Sequence, residues 1–454
     1  FSQLLCPILR RLLEVCCRRS RSRLRERGHP VMSDAMGNPA VVIDNGTGFT
    51  KIGFAGAAEP LHILPTAIAT RHRENTEGRG GSAALDDLNF RFEDQQCMTD
   101  LSASHKISYP IRHGLVEDWD GIERLWQRCI YDKLRCNPED HYFLLTEPPM
   151  NNPENREQVA EIMFETFNVP GLHISVQAVL ALAASWTSKD LSSRELSGLV
   201  VDSGDGVTHV VPVADGHVLS SCIEHIPIAG KDVTNYVQHL MRERKEQIPT
   251  DQSLDVARIV KENYAYVCPD VAKEFAKYDS NPETYIRKYE GIRRSTGQTW
   301  TCDIKHERFL AAELFFSPGI YHSAFSTPLP QIVDETIMKC PIDTRRKLYE
   351  NIVLSGGTTM FKDFGRRLQR DVKKRVNARI QCNIESLGEL HNGKNPQEIN
   401  VKVVSHRAQQ SAVWLGGSLL ASTDQFLSVC HTKAQYEEEG PRIARHNIAF
   451  KAKL

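Results

Sequence analysis

An internal repeat constrains this chain more than any other feature. The apolar run Ala40-Val41-Val42-Ile43 ends in Asp44-Asn45-Gly46-Thr47-Gly48, and 158 residues later Leu199-Val200-Val201 ends in Asp202-Ser203-Gly204-Asp205-Gly206. Each copy reads as a buried strand running into a tight turn, because apolar β-branched residues give way to an acid and glycines. A further β-like run follows each turn; after the second it is Val207-Thr208-His209-Val210-Val211-Pro212-Val213, as in a hairpin. A third strand, Asn351-Ile352-Val353-Leu354, leads into Ser355-Gly356-Gly357-Thr358-Thr359. Strands alternating with helices predict an α/β fold, and the duplication predicts two similar domains facing one cleft. At 454 residues the chain can supply a core to each.

The repeated Asp-x-Gly-x-Gly suits phosphate. Glycines let the backbone turn tightly and aim N–H groups at an anion. The aspartate offers a carboxylate to a hydrated divalent cation, and Mg²⁺ keeps most of its waters while using few carboxylates. Lys51, seven residues after Asp44, can add a point charge. One such loop is commonly a plain hairpin turn; a pair at matching strand ends, with a third glycine turn, points to a gripped triphosphate. The P-loop pattern GxxxxGK[ST] does not occur.

The bulk numbers exclude some classes. The net charge is −1, so nothing global favours nucleic acid or direct contact with an anionic membrane. Twelve cysteines lie scattered without a CxxC pair, which predicts reduced thiols in a cytosolic or nuclear protein. The longest apolar stretch, Ile174 to Trp186, is too short to span a bilayer and reads as a buried helix. The first 31 residues stand apart, with eight arginines between Arg10 and Arg27, the pair Cys16-Cys17 and a start at Phe1. A transit peptide is one reading; a translated upstream region with the start at Met32 is the other, and residues 1–37 are set outside the fold.

Three further elements follow from the pattern. From Arg71 to Ser108 the chain is polar and Gly-rich, a surface excursion. Pro153 after Asn152 as N-cap opens a helix with the apolar face Val159, Ile162, Met163 and Phe167. A helix from Asp363 to Val376 has the apolar stripe Phe364, Leu368, Val372 and Val376, while Arg366, Arg367, Arg370, Lys373, Lys374 and Arg375 face elsewhere. That basic face is either solvated or meets an acidic partner.

Read in order, these motifs resemble the actin family over essentially the whole chain after Pro39. Asp44 to Gly56 (DNGTGFTKIGFAG) is similar to the first phosphate loop of actins, and Asp202 to His209 (DSGDGVTH) to the second. Leu144 to Arg156 (LLTEPPMNNPENR), Pro110 to Gly114 (PIRHG) and Trp414 to Ser418 (WLGGS) also fit. The resemblance implies an actin-like ATPase fold, two domains with a duplicated ribonuclease H-like core, holding ATP with Mg²⁺ or Ca²⁺ in the cleft. It gives the β- and γ-phosphates to Asp44, Gly46, Thr47, Gly48 and Lys51 with Asp202, Gly204, Asp205, Gly206 and Val207. Asp44 and Asp202 would reach the metal through water. Gln177 and His209 match the residues that orient the attacking water, with Asp202 beside them in the catalytic set. Taken alone, a polar residue such as Gln177 on an apolar helix is usually a satisfied core residue, and a strand histidine such as His209 is usually just packing. Gly230, Lys261, Glu262, Gly356, Gly357 and Thr358 match positions lining the nucleoside. Gln410 departs from the family, which has a lysine beside the adenine.

By the same resemblance the first domain takes residues 38–184 with 411–454, and the second takes 185–410. The Arg71–Ser108 excursion tops the first, and roughly Gly230–Phe325 tops the second. Stretches such as Cys268 to Asp279 (CPDVAKEFAKYD), Phe361 to Arg370 (FKDFGRRLQR) and His431 to Asn447 (HTKAQYEEEGPRIARHN) fit the branch of the family that nucleates branched filaments better than conventional actin. Extra residues around Asp279 to Thr301 and Glu385 to Asn400 change surface, as companion-subunit contacts or as plain loop growth. The implied role is a structural, cytoplasmic and cytoskeletal subunit in which ATP biases cleft closure. Its partners would be actin-related protein 2 and companion subunits, actin filaments and nucleation-promoting factors. A self-polymerising filament protein, a small-molecule kinase of the same fold and a heat-shock-type ATPase are the rival readings. For the kinase no catalytic base is identifiable, and the chaperone would need a further peptide-binding domain.

Overall fold

The computed structural model describes residues 38–71, 105–187, 196–294, 296–321, 324–387 and 398–450. The arginine-rich start with Cys16-Cys17, most of the 71–108 excursion and much of the polar 385–400 segment lie outside the described residues. The chain forms two compact units. Unit 1 runs to Ser197 and takes in Val213–Ser220 and the chain from Ser411; unit 2 is Gly198–Pro212 with Ser221–Gln410.

Unit 1 is built on strands β1 (Val41–Asn45), β2 (Phe49–Phe54), β3 (His62–Pro65), β4 (Phe143–Glu147) and β5 (Gly171–Val176). The order across the sheet is β5-β4-β1-β2-β3, and the short strand His431–Thr432 adds to the outer edge of β5. β1 is parallel to β4 and antiparallel to β2. Because β1 is central, both of its faces are buried, which its continuous apolar run foretold. Val41, Ile43, Phe143 and Leu145 pack into one cluster with Ile122 and Trp126 of helix α1 (Trp119–Gln127). On the other side, Trp414 of the helix Ala412–Ala421 donates its indole N–H to the Val42 carbonyl at 3.1 Å.

Three details of unit 1 differ from the sequence expectation. The stretch from Ile174 divides: Ile174–Val176 close β5, and helix α3 begins only at Gln177 and runs to Ser185. β-branched Ile174 and Val176 extend the parallel ladder with β4, and the Ala/Leu-rich run after them is the helix former. Helix α2 (Pro153–Glu161) starts at Pro153, but the Asn152 side chain makes no cap hydrogen bond; Ile162–Thr166 then form a π-helical turn. Ile162, Met163 and Phe167 are buried, with Val159 half-buried against them. At the ends of the excursion, Ile68–Arg71 and His105–Ser108 pair as an antiparallel ribbon.

Unit 2 repeats the scheme with β6 (Gly198–Ser203), β7 (Thr208–Ala214), β8 (Glu224–Ile226), β9 (Ile352–Ser355) and β10 (Val403–Val404). Here β7-β6-β9-β10 lie in order, β8 pairs on β7, and β6 is parallel to β9. Helices α4 (Gly230–Glu243), α5 (Ser253–Tyr264), α6 (Leu329–Lys339), α7 (Ile342–Glu350) and α8 (Phe364–Leu387) belong to this unit, with a hairpin of Arg287–Ile292 and Thr299–Ile304.

α8 is longer than its sequence pattern predicts. Phe364, Leu368, Val372 and Val376 are all buried as expected. A further correction concerns Arg367, which does not share the solvated basic face. It reaches inward, giving two hydrogen bonds at 2.5 and 2.8 Å to Glu313, and its guanidinium lies 4.2 Å from the Phe316 ring centre. Arg366, Arg370, Lys374 and Arg375 remain exposed. Removing one member of a buried pair strands the other charge, so Arg367→Ala is expected to cost about 3–5 kcal/mol. Arg375→Ala, on the exposed face, should change stability by less than about 0.5 kcal/mol. Denaturant unfolding of the two variants checks the contrast.

Candidate functional site

The first glycine turn joins β1 to β2 and is closed by Gly46 N–H donating to the Phe49 carbonyl at 3.1 Å. Asp44 sits at the strand end, 2% exposed. A carboxylate buried that deeply needs donors, and three elements supply them. Lys51 of β2 bonds Oδ2 at 2.8 Å, and Thr146 of β4 bonds Oδ1 at 2.7 Å. Gln177, the first residue of α3, lies 3.5 Å from Oδ1 and donates to the Asn45 carbonyl at 3.3 Å. Thr47 is anchored too: its Oγ1 accepts from Gly114 N–H at 3.0 Å. Asn45 Oδ1 accepts the Trp126 indole N–H at 3.0 Å.

The second turn closes with the same backbone bond as the first. Gly204 N–H donates to the Val207 carbonyl at 3.1 Å, and Asp202 stands where Asp44 stands. The Gly204 carbonyl then gathers its surroundings, accepting Gly230 N–H at 3.0 Å and Thr358 Oγ1 at 2.6 Å. Lys231 N–H takes the Asp205 carbonyl at 2.9 Å. α4 therefore starts directly against this turn, and Asp232 caps it by accepting Ala229 N–H at 2.9 Å. A Cβ at Gly230 would meet Thr358 Oγ1 at 2.8 Å, so the approach requires glycine. Gly356 has φ +87°, and a Cβ there would lie 2.1 Å from the Ser203 carbonyl.

Lys261 of α5 extends to the same place and donates to the Gly230 carbonyl at 3.1 Å. Burial pulls its pKa down, opposed by the nearby Asp205 and Glu262 carboxylates. Gly204, Asp205, Gly230, Lys261, Gly356 and Thr358 are thus brought together within unit 2. Glu262 is exposed and faces Arg258 at 4.0 Å instead. Gln410 is also exposed, its Cγ beside Gly357.

His209 lies on β7, with its Nε2 3.3 Å from Nδ1 of His225 on β8. Burial, reinforced by His225, lowers its pKa to about 4, so its ring is neutral near pH 7. Sequence reasoning missed Thr146, Asn45 and His225. It read Ser355 only as part of the third glycine turn; Ser355 stands opposite Asp202 in the β6–β9 register, and its hydroxyl is buried without a hydrogen-bond partner. An orphaned hydroxyl beside a strand-end carboxylate fits a site meant to receive an oxygen-rich ligand.

Among the described residues no three His, Cys, Asp or Glu side chains cluster as metal ligands. A divalent cation here would rest on single carboxylates, water and phosphate oxygens. No helix among the described residues is long and apolar enough to cross a membrane.

The sequence matches the family described as Actin over residues 35–449. The chain belongs to the actin family. Among curated relatives, actin-related protein 3 of Acanthamoeba castellanii is 56% identical over 426 residues, covering 92% of this chain and 98% of the relative. Proteins of the same name from Drosophila melanogaster and Dictyostelium discoideum are each 55% identical, over 91% and 92% of this chain and 98% and 99% of their own lengths. Nucleotide and divalent-cation binding is what membership of the actin family implies, and the mixed α/β architecture of the two units is the actin fold.

The buried histidine makes acid sensitivity testable. Unfolded histidine binds its proton near pH 6.5, whereas His209 resists until about pH 4. Stability from its neutral state is present above pH 6.5 and drains away as pH falls towards 4. His209→Gln should flatten that decline by up to about 1.4 kcal/mol per pH unit. Unfolding midpoints measured from pH 7 to pH 4 read this directly.

Proposed function

We propose that this chain is an ATP-binding structural subunit of the complex that nucleates branched actin filaments. In that complex it templates a new filament together with actin-related protein 2. The observation that carries the reading is near-full-length identity, 56% over 92% of the chain, to actin-related protein 3. The doubled phosphate turn supports it, since both turns keep the acid, the glycines and the same closing hydrogen bond. The partners are the companion subunits of the complex, actin filaments and nucleation-promoting factors, and the setting is the cytoplasmic cytoskeleton.

ATP with Mg²⁺ or Ca²⁺ supplies a charged ligand that favours whichever state of the chain holds it more tightly. The chain's own residues do the holding. Lys51, now spent on Asp44, is a point charge for phosphate, and the Gly46–Gly48 and Gly204–Val207 turns offer backbone N–H groups. Asp44 and Asp202 would hold the water bound to the cation. Gly230, Lys261, Gly356, Gly357 and Thr358 line the nucleoside, with Gln410 in place of the family's lysine. Gln177 of unit 1 and neutral His209 of unit 2 are the residues that would orient water, as in the family they match. Turnover is slow at most, since small errors in water placement cost on the order of 10²-fold.

Asp44→Ala or Asp202→Ala should weaken ATP binding about tenfold or more and lower nucleation with it. Unchanged affinity in both variants would remove these carboxylates from the site. Gln177→Ala should slow hydrolysis more than it weakens binding, as single-turnover rates set against Kd would reveal. The assembly itself is checked by tagging the chain at its C-terminus and sizing what purifies with it. A discrete complex containing actin-related protein 2 that branches actin is expected; a lone polypeptide or a filament of itself overturns the reading.

A further inference from the structure

The turn Gly356–Thr359 is held from behind by one buried side chain that none of the motifs singled out. Gln409 is 6% exposed, and its carboxamide uses both ends. Nε2 donates to Thr359 Oγ1 at 2.8 Å and lies 3.4 Å from the Thr359 carbonyl. Oε1 accepts His406 N–H at 3.1 Å. The backbone joins in, with Gly356 N–H donating to the Gln409 carbonyl at 2.9 Å. Thr359 Oγ1 spends its own proton on the Gly356 carbonyl at 2.7 Å, so towards Gln409 it can only accept. The position therefore demands a donor facing Thr359 and an acceptor facing His406. A glutamate would set oxygen against oxygen, and a methionine would offer neither group.

What this clamp fixes is the placement of Thr358. The left-handed backbone at Gly356 is not a conformation the chain drifts into from a strand. Once it is imposed, Thr358 Oγ1 reaches the Gly204 carbonyl and braces the second phosphate turn. Gln410, the next residue, is the last of unit 2. The same clamp thus ties the glycine turn to the point where the chain leaves the unit.

We propose that Gln409 is a positioning residue for bound ATP, holding the Gly356–Thr359 turn so that Thr358 fixes the Gly204 carbonyl and with it the phosphate turn. The proposal rests on the reading that these turns bind ATP. Its test compares Kd for ATP, and the rise in Tm at saturating ATP, in the full chain and three variants. Gln409→Met keeps the bulk and removes the polar ends; it should raise Kd about tenfold and shrink the ATP-dependent rise in Tm. Thr359→Val removes the partner atom instead and should act in the same direction, which keeps the test alive if Gln409→Met does not fold. Tyr349→Phe deletes a buried 2.6 Å hydrogen bond to Asp334 elsewhere in unit 2. It should lower Tm without ATP while leaving Kd within about twofold, as a purely structural loss does.

If Gln409→Met and Thr359→Val behave like Tyr349→Phe, lowering Tm with Kd unchanged, the clamp is structural only and the proposal falls. Failure of the unaltered chain to bind ATP overturns the nucleotide reading itself, and the proposal with it.

Discussion

A carboxylate at the end of a buried strand has to be answered by donors, and in unit 1 that demand falls on Asp44. Its partners come from the neighbouring strand on one side, the neighbouring strand on the other, and the first turn of a helix. Strand order is therefore more than packing. β4 must lie beside β1 for Thr146 to face Asp44, and β2 must return antiparallel for Lys51 to come back into register with it. The start of α3 falls where Gln177 lies 3.5 Å from Asp44 and donates to the Asn45 carbonyl. A group that costs several kcal/mol when buried unpaired is tolerated because the whole sheet is arranged around it.

Unit 2 repeats the backbone of this solution with different chemistry on it. Its turn closes with the same bond, and Ser355 occupies the register position of Thr146, yet its hydroxyl has no partner. Where the first copy carries Lys51, seven residues past the acid, the second carries His209, seven past Asp202. One is a fixed cation and the other, held neutral by burial, is a dipole that can accept or donate. Seven residues past the acid, the two copies of one supersecondary unit thus carry a cation in one case and a neutral ring in the other.

The glycine turns and the strands before them were legible in the sequence because both signals are local: a β-branched run, then an acid, then glycines at fixed spacing. The apolar stripe of α8 was legible for the same reason. Arg367 was not, because helical periodicity reports which face a residue is on and cannot see Glu313 and Phe316 waiting at the edge of that face. Thr146, Ser355 and Gln409 were given no role of their own either. Each owes its place to a neighbour that is distant in sequence, across a parallel ladder for Thr146 and Ser355 and across a turn for Gln409. Ile174 to Trp186 shows the converse limit, since apolar character alone does not say where a strand stops and a helix starts.

The Trp414 indole bonded to the Val42 carbonyl bears on how the chain is made. Unit 1 takes its first strands from one end of the polypeptide, and one covering helix and an edge strand from the other. Between Ser197 and Ser411 the ribosome needs roughly 10–40 s at ordinary elongation rates. Throughout that interval the face of β1 and β4 that awaits the Ala412–Ala421 helix stands uncovered on a nascent chain. Unit 2 is largely contiguous and can close meanwhile. The N-terminal unit is thus the last to finish, and until Ala412–Ala421 and His431–Thr432 arrive its sheet keeps an apolar face uncovered and an edge unpaired.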